Sequence, residues 1–192
     1  MPRSYHHGDL RSALIAAGLA ALKTTGVAEL SLRQLARDAG VSPTAVYRHF
    51  PDKRALLVAL AEAGLEQLGL DQQAAAEAAP RAQAFAATGR AYVRFALANP
   101  ELFRLTFAYL SPAGETVFGR SLAAQMVRDY AAEISSNAAQ TRIRSVQAWA
   151  VVHGLAMLML DGQLPPDPAL IDTVIDSATL FPADPAVPKD QP

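Results

Sequence analysis

Residues Leu30–Leu57 read LSLRQLARDAGVSPTAVYRHFPDKRALL, and this stretch carries start and stop signals for three successive helices. Ser31 stands where an N-cap is wanted. Gln34, three residues on, can return the bond as a capping box, and Leu30 and Leu35 hold the positions of a hydrophobic staple. Leu32, Leu35, Ala36 and Ala39 recur at helical spacing, which predicts a first helix over Leu32–Ala39. Gly40 then falls where a left-handed residue closes a helix. Ser42 is a second N-cap, Pro43 occupies the first helical position where no N–H is needed, and Val41 can staple to Val46. The second helix is expected over Pro43–Phe50. Pro51-Asp52 stops it and caps the third. Two short helices joined across a glycine have the geometry of a helix-turn-helix.

The polar face of the second helix carries the chemistry. If Val46 and Phe50 point inward, Thr44, Tyr47 and Arg48 point outward. Hydroxyls and a guanidinium on a short helix are directional partners for base edges in a major groove. Lys53 begins the following helix, where an ammonium and free backbone N–H groups can meet one phosphate. A solvated outer face on a small helical domain has the same composition.

Residues Leu10–Leu57 resemble the N-terminal domain of the TetR family of transcriptional regulators. The matching positions are Ala17, Leu22, Gly26, Leu32-Arg33-Gln34-Leu35-Ala36, Gly40-Val41-Ser42, Tyr47-Arg48-His49-Phe50, Lys53 and Leu56. The opening Ser4-Tyr5-His6-His7-Gly8-Asp9-Leu10-Arg11 is similar to the start of one branch of that family. The resemblance implies a homodimer in which each subunit lays Pro43–Phe50 in a major groove of double-stranded DNA. Carried across by position, Tyr47 and Lys53 would hold phosphates, and Ser42 and His49 would lie near the backbone. Arg33, Thr44, Ala45 and Arg48 would lie near base edges. Ala45 offers only apolar contact, for instance to a thymine methyl.

Composition agrees with a protein that meets DNA at one end. The chain has 192 residues, 51% of them hydrophobic, and a formal net charge of −1. Residues 1–54 hold 8 Lys/Arg against 4 Asp/Glu, and residues 55–192 hold 9 against 14. A basic head of +4 and a body of −5 follow. With no Cys, disulfides, thiol nucleophiles and cysteine zinc sites are excluded. The polar opening Met1–Arg11 has no signal character, so the cytoplasm is the expected compartment.

The fold class expected is all-α: residues 1–54 form a three-helix DNA-binding domain with the helix-turn-helix, and residues 55–181 a helical effector-binding and dimerisation domain. Residues 182–192, with four prolines, form a disordered tail. Helices are predicted over Asp9–Thr24 (ended by Gly26), Asp52 to about Leu70, Ala82–Ala98, Glu101–Leu110, about Glu115–Ile134, Ala139–Leu160 and Ala169–Leu180. The breaks within Asp71–Arg81 are left open by its Ala- and Gln-rich composition.

The segment Ala148–Leu160, AWAVVHGLAMLML, is apolar except for His153. A thirteen-residue segment falls short of the ~20 that span a bilayer, so no membrane partner is expected. A helix apolar all round must be covered all round, by its own subunit or by a second copy. Gly154 costs ~1 kcal/mol relative to Ala inside a helix, for which a close helix crossing is a sufficient reason. Trp149, His153 and Gly154, with Phe95-Ala96 and Asn99-Pro100-Glu101-Leu102-Phe103, resemble a C-terminal domain of Trp-His-Gly type found on TetR-like regulators. That resemblance implies dimerisation through the long helix and the last helix, and an effector pocket in the body.

Candidate effector contacts are Phe103, Phe107, Tyr109, Trp149, His153 and Met157, the large apolar residues of the body with one polar member. An ordinary core would use the same residues. His153 can contact a ligand, respond to pH, or be a buried histidine satisfied by a neighbour. No second His stands at metal spacing beside it, so neither metal nor cofactor is expected. The expected function is that of a ligand-responsive repressor, binding a palindromic operator as a dimer and released by a small apolar molecule. An all-α enzyme with an incidental helix-turn-helix is the alternative, but no catalytic set is marked. A DNA-binding or partner-binding protein without an effector site is a third reading.

Overall fold

The computed structural model describes residues 7–109 and 121–176. Among these, every regular element is helical. They group into two compact units: residues 7–67 with 98–109 and 121–122, and residues 68–97 with 123–176. The expected tail 182–192 lies outside the described residues, as do parts of the expected helices at Leu110, residues 115–120 and residues 177–180.

Unit one begins with α1 (His7–Glu29), interrupted at Gly26, whose φ of +73° and ψ of 173° are not helical. Glycine takes that backbone without the Cβ clash that penalises other residues, so the expected break is at the expected residue. A short turn resumes beyond it. Next come α2 (Leu32–Asp38) and α3 (Pro43–His49). Between them Gly40 has φ +65°, its N–H donates to Arg37 O, and Val41 N–H donates to Ala36 O. This pair of bonds is a Schellman closure, which satisfies the last carbonyls of α2 and turns the chain into α3.

The caps divide. Ser42 Oγ accepts from Ala45 N–H at 3.2 Å, and Asp52 Oδ1 accepts from Ala55 N–H at 2.7 Å to start α4 (Lys53–Ala78). Ser31 has the extended backbone of an N-cap, but its side chain caps nothing. The expected capping box with Gln34 does not form because Gln34 is engaged along its own helix. Its Oε1 accepts from the Arg37 guanidinium and its Nε2 donates to Asp38 Oδ1 at 2.6 Å.

The core of unit one is made of Leu14, Leu22, Leu30, Leu35, Val46, Phe50, Leu56 and Leu60. It also includes α6 (Pro100–Ala108), which packs on α1 and buries Leu102, Phe103, Leu105 and Thr106. Gly64 of α4 lets α6 approach: a Cβ there would stand 2.7 Å from Thr106 Oγ1 and 2.9 Å from Leu102 Cδ1.

Unit two holds the rest of α4, which runs to Ala78 rather than stopping near Leu70. The Ala- and Gln-rich stretch has high helix propensity, and the helix ends where Pro80 forbids its continuation. After a short 3₁₀ turn over Arg81–Gln83 come α5 (Ala84–Ala98), α7 (Leu122–Glu133), α8 (Ala138–Leu160) and α9 (Pro168–Val174). Asn137 caps α8 by accepting from Gln140 N–H at 3.0 Å. Asp167 accepts from Ala169 N–H at 2.9 Å at the start of α9. Ile171 of α9 is buried, and α9 is held on α5 by Ile175 just beyond it and by Asp172, which lies 3.5 Å from Arg90 Nε and 3.6 Å from Arg94 Nη2. Gly89 admits Ile175, since a Cβ there would come within 2.6 Å of its Cγ2. α8 buries Ala148, Leu155, Ala156 and Met159 but leaves Ile143, Val146 and Leu158 exposed.

Ser42→Ala is expected to lower stability by ~1 kcal/mol, the usual value of a side-chain N-cap. Ser31→Ala should change it by no more than ~0.5 kcal/mol, as for a surface residue without a specific bond. Denaturant unfolding of the two variants checks this, and equal losses would contradict the capping described.

Candidate nucleic-acid interface and effector site

The second helix of the helix-turn-helix divides by face. Val46 and Phe50 are fully buried, while Ser42, Thr44, Tyr47 and Arg48 are exposed and Ala45 and His49 are half-buried. Tyr47, a large aromatic, keeps 43% of its surface exposed. Arg33 is exposed on α2. All the residues expected at DNA are therefore at or near the surface of unit one.

Lys53 has a second engagement. Its Nζ donates to Ala28 O at 2.8 Å, tying the start of α4 to the end of α1. The carbonyl end of a helix carries partial negative charge, so an ammonium there is well placed. A DNA phosphate and this carbonyl would draw on the same group, which has three protons to donate.

The sequence reading did not single out Arg11 for DNA contact, yet its guanidinium lies 5.6 Å from the centroid of the Phe50 ring. This exposed cation is thereby held beside the end of α3. Nothing in local spacing marks it, because the contact joins α1 to the residue that ends α3.

The expected effector residues fall into both units. In unit one, Phe103 is fully buried and meets Phe107 edge to face at 5.0 Å, and Tyr109 follows α6. In unit two, Trp149, His153 and Met157 recur every four residues along one face of α8, all half-buried. The rings of Trp149 and His153 lie 5.8 Å apart.

Trp149 and His153 converge on Tyr92 of α5, which the sequence reading missed. Tyr92 is buried, its hydroxyl lies 2.9 Å from His153 Nδ1, and it accepts from Trp149 Nε1–H at 3.3 Å. A signal existed. Thr88, Tyr92 and Phe95 follow the apolar stripe of α5, and a hydroxyl-bearing ring on such a stripe requires a polar partner. Burial pushes the Tyr92 phenol well above its ordinary value, a shift opposed by the Trp149 N–H. Burial lowers the His153 imidazole. Neutral His153 can therefore accept at Nδ1 from the Tyr92 O–H, so it is a histidine satisfied by a neighbouring side chain. Among the described residues no three His, Asp or Glu side chains gather to hold a metal.

Residues 14–60 match the sequence model of the tetR family of bacterial regulatory proteins, and residues 85–179 match that of the tetracyclin repressor-like C-terminal domain. The chain belongs to the TetR family. It is a DNA-binding transcriptional regulator, of a family whose members are not enzymes. A structure of a protein of unknown function from Rhodococcus sp. RHA1 is similar over 94% of this chain and 97% of that one, with 36% identity and a TM-score of 0.75. A tetR-family transcriptional regulator from Streptomyces coelicolor shares 22% identity at a TM-score of 0.68, over 90% of this chain and 80% of the other. One from Marinobacter aquaeolei VT8 shares 20% at 0.62, over 86% and 91%. These two show the TetR-family fold.

The lowered His153 value has a consequence for stability. As pH falls, the unfolded chain takes up the proton first, near the ordinary value of about 6.5. The stability tied to neutral His153 is full above that pH and is lost as pH falls toward the folded value. His153→Gln should melt below the wild type near neutral pH, and that gap should narrow between about pH 7.5 and about pH 5.5. A gap constant across the range, measured by thermal unfolding, would contradict the environment described for His153.

Proposed function

We propose that this TetR-family regulator is a repressor that binds a palindromic operator as a homodimer and is released by a small, mostly apolar effector. The observation that carries the reading is α3, with Val46 and Phe50 fixed in the core and Thr44, Tyr47 and Arg48 presented outward. Its cap and the turn at Gly40 hold it rigidly on that face. Arg33, Thr44, Ala45 and Arg48 read base edges. Tyr47 and Lys53 hold phosphates, and Ser42 and His49 approach the backbone. Two such helices about one DNA turn apart, ~34–36 Å, fit a palindrome.

The dimer contact is assigned to α8. Ile143, Val146, Ala150 and Leu158 are exposed on it, and a Cβ on Gly154 would meet nothing within 4 Å. An exposed apolar run beside an uncrowded glycine fits a second copy of the same helix. By length and composition alone α8 could cross a bilayer, but its Ala148, Leu155, Ala156 and Met159 are already buried in unit two. α9 takes part through whatever its packing on α5 leaves uncovered. Effector contacts are assigned to Trp149, His153 and Met157 on α8 and to Phe103, Phe107 and Tyr109 on and after α6. An effector that prefers a different spacing of the two α3 helices releases DNA by no more than its differential affinity for the two states. α4 carries the change.

Selection of genomic fragments by the purified protein, with footprinting across a salt series, tests the reading. A protected palindrome with steep salt dependence supports it, and the absence of any enriched site counts against it. Tyr47→Ala and Lys53→Ala should weaken binding to all sequences alike, and only Lys53→Ala should reduce the salt slope, by about 0.9. Arg33→Ala should relax preference at one base pair. Unchanged affinity in all three refutes the docking.

Gly154→Leu is expected to leave each subunit folded and to shift the protein toward monomer in sedimentation. A variant that stays as dimeric as the wild type would move the dimer contact off α8.

A further inference from the structure

We propose that Gln72 is the polar group by which this regulator recognises its effector, and that the effector is a mostly apolar, uncharged molecule carrying an O–H or N–H donor. The inference rests on the effector reading above and adds to it a residue and a chemical class.

Gln72 lies on the buried stripe of α4, in register with Ala61, Leu65 and Leu68, and is 3% exposed. Leu or Met at this position would complete the stripe without polar cost. The amide is fixed in orientation. Its Nε2 donates to Thr88 O on α5 at 3.1 Å, and because that carbonyl can only accept, the NH₂ must face it and Oε1 must point elsewhere. Oε1 is buried and accepts no hydrogen bond from the protein. A buried acceptor left unmade destabilises the fold unless something donates to it. The hydroxyl of Thr88 is directed to Phe85 O at 2.7 Å. The other atom of this kind among the described residues, Ser135 Oγ, belongs to a half-buried residue between α7 and α8.

The position of Gln72 ties it to the α8 residues assigned to the effector. Thr88 and Tyr92 stand four residues apart on α5, so the Gln72 amide meets α5 one turn from the ring that joins Trp149 and His153. Two of the three polar groups there are already paired with each other through Tyr92. The Gln72 carbonyl oxygen is shielded from water, and burial disfavours a charged partner and suits a neutral donor.

The test is isothermal titration calorimetry of the full chain with phenol, cyclohexanol and 1-naphthol, each compared with its methyl ether. The wild type should prefer hydroxyl over ether by about tenfold or more. In Gln72→Met the preference should collapse to near unity with ether affinity retained, while the unliganded variant melts at or above the wild-type temperature. A hydroxyl preference that survives Gln72→Met, or a variant that melts lower, overturns the proposal. If the wild type binds hydroxyl and ether alike, the Gln72 assignment fails and the effector reading stands. If it binds no member of any pair at millimolar concentration, both fail.

Discussion

The head of this protein depends on the burial of two side chains, one within a seven-residue helix and one on the residue that ends it. Alone, α3 is far too short to hold itself together in water. Val46 and Phe50 anchor it, Ser42 caps its start, and the left-handed Gly40 sets the direction from which it enters. Emptying such an aromatic site costs ~3–5 kcal/mol. The outward set of Thr44, Tyr47 and Arg48 has a defined aim because the inward pair leaves no alternative rotation.

Much of this was legible in the sequence, since it is written in local signals. Glycines at helix ends, a proline at the first helical position and apolar residues at helical spacing are all short-range features. The structure places them where the pattern does. Ser31 shows where that reasoning stops. Its capping box was available by spacing, but Gln34 was drawn to Arg37 and Asp38, and sequence spacing does not rank competing bonds.

The body was less legible for a physical reason. Tyr92 and His153 are 61 residues apart in the chain, and Arg11 meets a residue at the end of a different helix. Such contacts are decided by how helices pack, which no local window contains. Gln72 was missed because the Ala- and Gln-rich stretch gave no firm end to α4. Once the helix is seen to reach Ala78, the same stripe that explains Leu65 and Leu68 exposes Gln72 as the polar member of an apolar row.

Trp149 is the single tryptophan of the chain, and its indole N–H is bonded to the Tyr92 hydroxyl beside the His153 ring. Indole emission responds to hydrogen bonding and to the protonation of a nearby imidazole. The body therefore carries an intrinsic optical reporter at the meeting point of α5 and α8. Events there can be followed in the native protein by its own light, with no label and no background from a second tryptophan.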